Sequence, residues 1–425
     1  MIYFEKGAKD IELSLDDLRE GLYNAFEQLG ERKRVLAIPP DITRAHSMAG
    51  PITEMAWEYY GERMTDILPA LGTHAAMKPA EIRKMYGAVP ESLFRVHDWR
   101  NDVVTLGEVP ASFVEEVSEG KVSFAWPAQV NRMLLEGGHD LILSVGQVVP
   151  HEVIGMANYN KNIFVGTGGP EGINKSHYLG AAYGMERIMG RADTPVRQVL
   201  NYASIKFGPR LPEVVYVLTV IGRNSEGRLV PRGLYIGNDV ACFEKASALS
   251  LEVNFKMVEE PLRKVVVYLD PEEYKSTWLG NKSIYRTRMA IADGGALIVL
   301  APGLKEFGED AEIDRLIRKY GYQTTPEILD FVEKNDDLRG NLSAAAHLIH
   351  GSTEKRFTVT YCPGNITRQE IESVNYMYAD LAVMLKKYDP AKLRDGWNEM
   401  PDGEKVFYIS NPATGLWSTK DKFDT

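Results

Sequence analysis

Polar residues that suit acid/base or anion-binding chemistry follow a short apolar segment near the start of the chain. The segment 34–38 leads directly to Asp41, Thr43 and Arg44. An arginine guanidinium presents a planar fork that matches a carboxylate or a phosphate, and a neighbouring aspartate can orient it. A surface turn with a salt bridge uses the same residue types, so this pattern leaves both interpretations open.

Histidines follow two further apolar segments. The run 66–71 leads through Gly72 to His74, and the run 140–145 leads to His151. Histidine titrates near neutral pH, as a general acid or base must, and glycine permits close backbone approach. Because the carboxyl ends of strands line the ligand crevice of an open α/β sheet, these residues are predicted to share one rim.

Two more residues complete the candidate set. Lys161 lies ten residues after His151, and His177 lies sixteen residues after Lys161. Neither interval is a common metal-ligand spacing, so the residues alone indicate only a suggestive Asp/Arg/His/His/Lys/His group. The histidines without such placement are predicted to be structural or exposed: His46, His97, His139, His347 and His350.

A different chemistry is indicated by the segment 169–176. It nearly matches the phosphate-binding pattern G-x-x-x-x-G-K-[ST], with Asn174 where the last glycine belongs. The apolar run 265–270 ends in an aspartate and resembles a magnesium-holding strand. A phosphate-binding loop should follow a core strand directly, whereas the preceding segment 155–162 is rich in Gly and Asn. A P-loop-like nucleotide hydrolase is therefore retained as an alternative.

The elements that must position these residues alternate between strands and helices. Short Val-, Ile- and Leu-rich runs alternate with amphipathic segments, which is typical of an α/β protein. The predicted strands are 34–38, 66–71, 102–106, 140–145, 213–221, 264–269, 296–301 and 357–361. The predicted helices are 15–28, 52–60, 79–86, 127–136 and 242–258.

A chain of 425 residues is longer than one core usually organises. We expect two α/β domains, each a mainly parallel sheet flanked by helices, with the active site in the cleft between them. The predicted bounds are 1–262 for a catalytic and cofactor-binding domain and 263–402 for a smaller one. The strand-like C-terminal segment, 403–425, is a candidate to pack back onto the first domain.

Composition narrows the class of partner. The net charge is -10 and the basic residues are scattered, which argues against nucleic acid or an anionic membrane and favours a small ligand. The two cysteines are too few for a disulfide scaffold or a Cys-rich metal site, and are expected to be buried and inert. The sequence shows neither a signal peptide nor an apolar run of spanning length, so the cytoplasm is the predicted location.

Taken together, the candidate residues resemble the nickel-dependent lactate racemase family. Their order and intervals agree with that family across the first domain, and more faintly into the second through Lys282 and Gly294–Gly295. The residues that carry the resemblance are Asp41-x-Thr43-Arg44, Gly72-x-His74, His151 with Gly155, Lys161 with Gly166, and His177.

The resemblance implies a nickel-pincer nucleotide, pyridinium-3-thioamide-5-thiocarboxylic acid mononucleotide nickel. Lys161 would be joined to it covalently through a thioamide, Thr43 would contact it, and His177 would be the protein ligand to nickel. An imidazole nitrogen suits Ni(II), and a desolvated lysine amine is a competent nucleophile. The resemblance also implies partner proteins that synthesise and insert the cofactor.

The implied activity is that of an isomerase, a racemase or epimerase acting at C2 of a 2-hydroxy acid. Loss of the C2 hydrogen as hydride, with a base taking the hydroxyl proton, leaves a planar keto acid that can be re-reduced on either face. By resemblance His74 and His151 are the two bases. Arg44, supported by Asp41, would bind the substrate together with Lys282.

Two departures from the family leave the substrate open. Asn158-Tyr159-Asn160 stands where the family tends to have Gly-Gly-Arg, and Leu279 stands where lactate racemases have glutamine. The expected substrate is a 2-hydroxy acid, either lactate-like or a longer sugar acid such as gluconate. A binding protein that has lost catalysis is a third hypothesis, and the oligomeric state is not determined by the sequence.

Overall fold

The computed structural model describes residues 1–424, without the side chain of Thr414, and divides them into two compact units. The first comprises Met1–Leu179 and Ile188–Asn254. The second comprises Gly180–Arg187 and the chain from Phe255 onward. Among the described residues, none of the helices combines the length and apolar character needed to cross a bilayer.

The first unit is built on a six-stranded sheet in the order β1-β10-β9-β6-β2-β3. Strands β9, β6, β2 and β3 run parallel, and β1 and β10 add antiparallel pairs at one side. Two-stranded ribbons form from β4 with β5 and from β7 with β8. The strands are β1 (Ile2–Gly7), β2 (Val35–Ile38), β3 (Met64–Ile67), β4 (Val103–Val109), β5 (Trp126–Asn131), β6 (Leu141–Gln147), β7 (Pro150–His151), β8 (Gly155–Met156), β9 (Glu213–Arg223) and β10 (Leu229–Gly237).

Helices cover the sheet and begin at recognisable caps. Ser14 and Asp17 form a capping box, Pro79 occupies a first-turn position, and Thr194 caps the helix that begins at Pro195. The helices up to α9 are α1 (Leu15–Leu29), α2 (Ala49–Tyr60), α3 (Pro79–Tyr86), α4 (Ala111–Val117), α5 (Arg132–Glu136), α6 (Pro170–Tyr183), α7 (Met185–Ile188), α8 (Pro195–Phe207) and α9 (Val240–Asn254). The end of α6, from Gly180, and α7 up to Arg187 are assigned to the second unit.

The central strands are buried on both faces, which explains their continuous apolar sequence. All four residues of β2 are buried, and the helices α1, α2 and α3 contribute to the same hydrophobic core. Ala37 of β2 pairs with Ile67 of β3 and with Leu143 of β6. The carboxyl ends of these three strands therefore lie side by side at one edge of the sheet.

The second unit has its own six-stranded sheet, in the order β15-β14-β13-β12-β17-β16, and all its pairs except β16 with β17 are parallel. Its strands are β11 (Phe255–Val258), β12 (Leu262–Tyr268), β13 (Ile291–Ala301), β14 (Thr358–Pro363), β15 (Met377–Tyr378), β16 (Gly396–Glu399), β17 (Lys405–Ile409) and β18 (Leu416–Thr419). Its helices are α10 (Thr277–Gly280), α11 (Lys282–Tyr285), α12 (Ala311–Tyr320), α13 (Thr325–Lys334), α14 (Asp336–Arg339), α15 (Leu342–His350), α16 (Arg368–Ser373), α17 (Leu381–Lys387) and α18 (Lys420–Asp424).

The predicted α/β class with parallel-rich sheets is confirmed, while two predicted helices were wrong in part. The segment 127–136 is strand β5 followed by the short helix α5, because Trp126, Ala128 and Val130 are all buried in a pairing with β4. The segment 242–258 is helical only to Asn254, after which β11 pairs with the distant β18.

The strands of the C-terminal segment pair with strands of the second unit. Strand β17 pairs in parallel with β12, and β18 pairs in parallel with β11. The physical reason is that these apolar strands complete backbone hydrogen bonding beside β11 and β12. Both cysteines, Cys242 and Cys362, are buried free thiols, as the sequence predicted.

The close approach of α2 to α3 gives a test of the first core. A Cβ added at Gly50 would overlap the Met85 carbonyl oxygen, so Gly50→Ala must separate the two helices. We expect this substitution to lower the free energy of unfolding by about 1–3 kcal/mol, measured by urea unfolding. The matched control is Gly208→Ala, where no heavy atom lies within 4 Å of the added Cβ. Equal stability of the two variants would contradict this packing.

Candidate active site

The rim of the first sheet gathers the residues that follow β2, β3 and β6. These strands are parallel neighbours, so Asp41, His74 and His151, which follow them, emerge at the same edge of the sheet. This is the convergence that the sequence predicted from the positions of strand ends. Hydrogen bonds hold each of these side chains there.

Asp41 is the buried member of a carboxylate–imidazole pair. It caps the 3-10 turn Ile42–Ser47 by accepting a hydrogen bond from the Thr43 backbone N–H at 3.0 Å and another from the Thr43 hydroxyl. Its other oxygen lies 2.6 Å from His74 Nδ1. Burial would raise the pKa of Asp41, but the hydrogen bonds from His74 and Thr43 hold it below its ordinary value. The carboxylate is therefore ionised at neutral pH and fixes the His74 ring.

Both rim histidines leave Nε2 for chemistry, and their neutral rings are held in opposite tautomers. The side chain of His74 is 53 % exposed, and because Nδ1 donates to the Asp41 carboxylate, the neutral ring carries its lone pair on Nε2. In His151 the Val153 backbone N–H donates to Nδ1 at 3.1 Å, so the neutral ring carries its proton on Nε2. The two neutral rings therefore differ in which nitrogen carries the proton.

Arg44 is exposed on the turn that Asp41 caps. Its guanidinium donates to the Thr43 carbonyl at 3.3 Å. The predicted support of Arg44 by Asp41 is not found: among residues 1–424, Asp41 bonds to His74 and Thr43, and no ion pair joins it to Arg44. The reason is geometric, since the carboxylate is buried beneath the turn while the guanidinium extends into solvent.

Lys161 directly precedes a π-helical turn, Asn162–Gly166, that is bonded to two strands. The Asn162 amide donates to the Ile38 carbonyl of β2 and to the Ser144 hydroxyl of β6, both at 3.0 Å. A π-turn is uncommon and frequently marks a functional site. The turn therefore holds the lysine at the same rim.

The loop after β3 packs against this turn. The Gly72 N–H donates to the Gly166 carbonyl at 2.8 Å, and Gly72 adopts a positive φ of 56°. A Cβ on Gly166 would meet the Ala70 side chain. The close approach that glycine at position 72 was predicted to permit is therefore an approach to the Lys161 turn.

The Lys161 amine has the character of a nucleophile. Burial, together with the positive charges of Arg44 and Arg197 and against the opposing charge of Glu152, lowers its pKa to about 8. Within the part of the chain that the structure describes, no hydrogen bond or ion pair engages this amine. A partly buried lysine without a partner, whose amine is neutral in a larger fraction than an ordinary lysine's, is chemically available for covalent attachment.

His177 on α6 is arranged as a metal ligand would be. Its Nδ1 donates to the Ile173 carbonyl at 2.7 Å, which leaves the Nε2 lone pair available. Burial lowers its pKa, and the charge of Lys161 lowers it further. The charge of Lys161 thus acts on the His177 ring. No cluster of three or more His, Cys, Asp or Glu arranged for a metal occurs among the described residues.

The near-match to a phosphate-binding loop is helix rather than loop. Residues from Pro170 belong to α6, and the preceding element is the π-turn instead of a strand. Lys175 donates to the Ala125 carbonyl and pairs with Glu171 at 2.6 Å. These residues therefore do not form the cradle that a P-loop-like nucleotide hydrolase requires.

Lys282, the remaining predicted site residue, belongs to the second unit. It begins α11, and its ammonium lies 5.7 Å from the centre of the Tyr274 ring. Leu279, one of the departures from the family pattern, lies on α10. The histidines predicted to be structural or exposed are His97, His139, His347 and His350, which are buried, and His46, which lies on the exposed turn 42–47.

Three residues near the site were not singled out from the sequence. Asn162 anchors the lysine turn, while Glu152 and Arg197 act electrostatically on Lys161. The adjacency of Glu152 to His151 and of Asn162 to Lys161 was visible in the sequence. The role of Arg197 was not, because it lies on the separate helix α8.

Comparison with known proteins gives a family match for the first part of the chain. Residues 5–187 match the family model described as the lactate racemase N-terminal domain. No curated protein matches the chain.

Two solved structures are similar over nearly the whole chain. A crystal structure of a Thermotoga maritima protein is 27 % identical with a TM-score of 0.81, covering 98 % of this chain and 100 % of that one. The lactate racemase apoprotein from Thermoanaerobacterium thermosaccharolyticum is 17 % identical with a TM-score of 0.68, covering 96 % and 90 %. This chain therefore has the fold of that lactate racemase apoprotein, and its residues 5–187 match the lactate racemase N-terminal domain.

Proposed function

We propose that this protein is a racemase or epimerase that inverts C2 of a 2-hydroxy acid, with a nickel-pincer nucleotide attached to Lys161. The observation that carries the proposal is the pairing of Lys161 and His177. An amine with a lowered pKa and no partner lies near an imidazole whose Nε2 is available, beside the rim that carries two histidines.

The residues present fit such a cofactor. Lys161 would hold it covalently, His177 would ligate nickel through Nε2, and Thr43 on the exposed turn would contact it. Fixing His177 Nδ1 by the Ile173 carbonyl selects the tautomer that a metal ligand needs. When bound, the group supplies a centre that accepts and returns hydride. Its synthesis and insertion would require other proteins.

Proton transfer is assigned to the rim histidines. His74 Nε2 accepts the hydroxyl proton of one enantiomer, while the Asp41 carboxylate stabilises the imidazolium that forms. His151 acts in its protonated form: as an imidazolium it returns a proton to the hydroxyl oxygen when C2 is reduced from the other face, and it is left as a neutral ring whose Nδ1 accepts from the Val153 N–H. In the reverse direction the neutral His151 accepts the hydroxyl proton and the His74 imidazolium donates. One neutral and one protonated histidine therefore suit a reaction that must run both ways.

Binding of the substrate carboxylate is assigned to Arg44. Its guanidinium is exposed on the turn beside Asp41, and its fork suits a carboxylate. The role of Lys282, in the second unit, as a further substrate-binding residue stays a prediction. The substrate class is a 2-hydroxy acid, lactate-like or a longer sugar acid such as gluconate.

The covalent role of Lys161 is tested by Lys161→Ala in protein co-expressed with the cofactor-synthesis proteins. We expect nickel and racemisation to be lost together, because the attachment point is removed. Metal analysis, intact mass and chiral assay measure this. Lys175→Ala is the matched control and should keep both; loss of activity there, with Lys161→Ala unaffected, would instead favour nucleotide chemistry.

The acid/base roles are tested by His74→Ala, His151→Ala and Asp41→Asn. We expect each to keep nickel and to lower kcat, by about 100-fold or more for the histidine variants. Asp41→Asn should act in the same direction because it removes the carboxylate that holds the His74 tautomer. Unchanged kcat in both histidine variants would contradict the assignment. Hydroxy-acid binding without turnover in the loaded wild type would identify a binding protein.

The lowered pKa of Lys161 predicts a specific pH dependence in the chain without cofactor. Its amine should become reactive toward an amine-acylating reagent with a midpoint near pH 8, since only the neutral form attacks. The pKa of an ordinary lysine amine is ~10.4. Peptide mass spectrometry over a pH series measures the rate, with the exposed Lys206 as internal reference. A Lys161 midpoint at the reference position would refute the prediction.

A further inference from the structure

Arg197 of α8 is a buried cation whose partners are all uncharged. The residue is 1 % exposed, and no carboxylate pairs with it among residues 1–424. Its guanidinium donates to the Met156 carbonyl at 2.7 Å, to the Asn158 carbonyl at 3.3 Å, and to the Asn160 side-chain oxygen. Burying a charge without a counter-ion is costly, so an arginine in this position calls for a specific role.

The segment that Arg197 binds has an unusual backbone. Asn158 and Tyr159 have φ values of 67° and 58°. Asparagine tolerates the left-handed region, but a bulky residue such as tyrosine adopts it at a cost and needs support from its surroundings. The Tyr159 ring stacks on Phe243 with centroids 5.2 Å apart, and the Arg197 guanidinium lies 4.2 Å from the same Phe243 ring. Arginine and aromatic contacts together hold this conformation.

Asn160 extends the same support to a second point on the helix. Its amide donates to Asn201 Oδ1 at 2.7 Å and to the Ser204 hydroxyl at 3.1 Å, while its oxygen accepts from Arg197. Asn160 is therefore bonded to three residues of α8. Because Lys161 is the next residue, its backbone is fixed on this side by α8.

On the other side, Lys161 is followed by Asn162, which is bonded to the end of β2 and to Ser144 within β6. The lysine thus lies between two anchors, one to the sheet and one to α8. We propose that Arg197 is the positioning residue for Lys161: by binding the carbonyls of residues 156 and 158 and the amide of Asn160, it holds the strained segment that presents the amine.

The positive charge of Arg197 also acts on Lys161, by favouring the neutral form of its amine. After burial and Arg44, it is among the groups that lower the pKa of Lys161. A cation without a counter-ion can exert this effect, whereas a salt-bridged arginine would be largely neutralised. The inference rests on the proposed function only in saying what the Lys161 amine is used for. The position and reactivity of Lys161 are measurable in the chain without cofactor.

The experiment compares Arg197→Met, Arg197→Lys and a control, Arg232→Met, in the full chain without cofactor. Arg232 is also a buried arginine of the first unit that donates to backbone carbonyls, those of Ile11 and Arg223. Hydrogen–deuterium exchange of residues 157–161 reports the segment, and the pH profile of Lys161 acylation reports the amine.

In Arg197→Met we expect exchange of 157–161 to be faster by about tenfold or more, and the acylation midpoint of Lys161 to move to higher pH. Arg197→Lys keeps the charge but cannot span three acceptors, so exchange should rise while the midpoint stays near that of the wild type. Arg232→Met should leave both readouts unchanged.

Two outcomes would overturn the proposal. One is that Arg197→Met leaves both readouts at wild-type values. The other is that Arg197→Met and Arg232→Met change them equally, which would show general destabilisation. If Arg197→Met does not fold, Arg197→Lys against Arg232→Lys decides by exchange alone. Since no step uses nickel or substrate, failure here is distinguishable from failure of the racemase proposal, which the loading of Lys161 tests.

Discussion

The hydrogen bonds of the Asn162 side chain are the interaction on which the rest of the site depends. One amide donates to the end of β2 and to Ser144 within β6, so the turn after Lys161 is joined to two parallel strands at once. The parallel register places Ser144 beside Ile38. This link fixes the lysine relative to the sheet whose strands the rim residues follow.

Burial and hydrogen bonding act in opposite directions at this rim, and their balance determines the chemistry. Asp41 is buried, yet its carboxylate stays ionised because His74 and Thr43 bond to it. Lys161 has no such partner, so burial instead favours its neutral form. Two groups at one edge of a sheet thereby acquire the states that a base-supporting carboxylate and a nucleophilic amine require.

The sequence pattern predicted the helices and strands correctly where a segment has a regular hydrophobic period or packs against neighbours that are near in the chain. Helix α3 begins and ends where predicted, and the buried strands β2 and β6 were found from their apolar runs. The failures lie where a distant partner decided the conformation. Strand β5 forms because β4 pairs with it, and β11 forms because β18, far along the chain, supplies its backbone partners.

For the site, the sequence by itself determined the residue types and their order: an aspartate and two histidines after apolar runs, then Lys161 and His177 at intervals of ten and sixteen residues. It could also place three of them at strand ends, because an open parallel sheet aligns those ends. Only the tertiary structure decided that Asp41 pairs with His74 rather than Arg44, and that Arg197 binds the segment before Lys161. Hydrogen-bond partners depend on side-chain direction and burial, which arise from packing between elements that one-dimensional spacing does not encode.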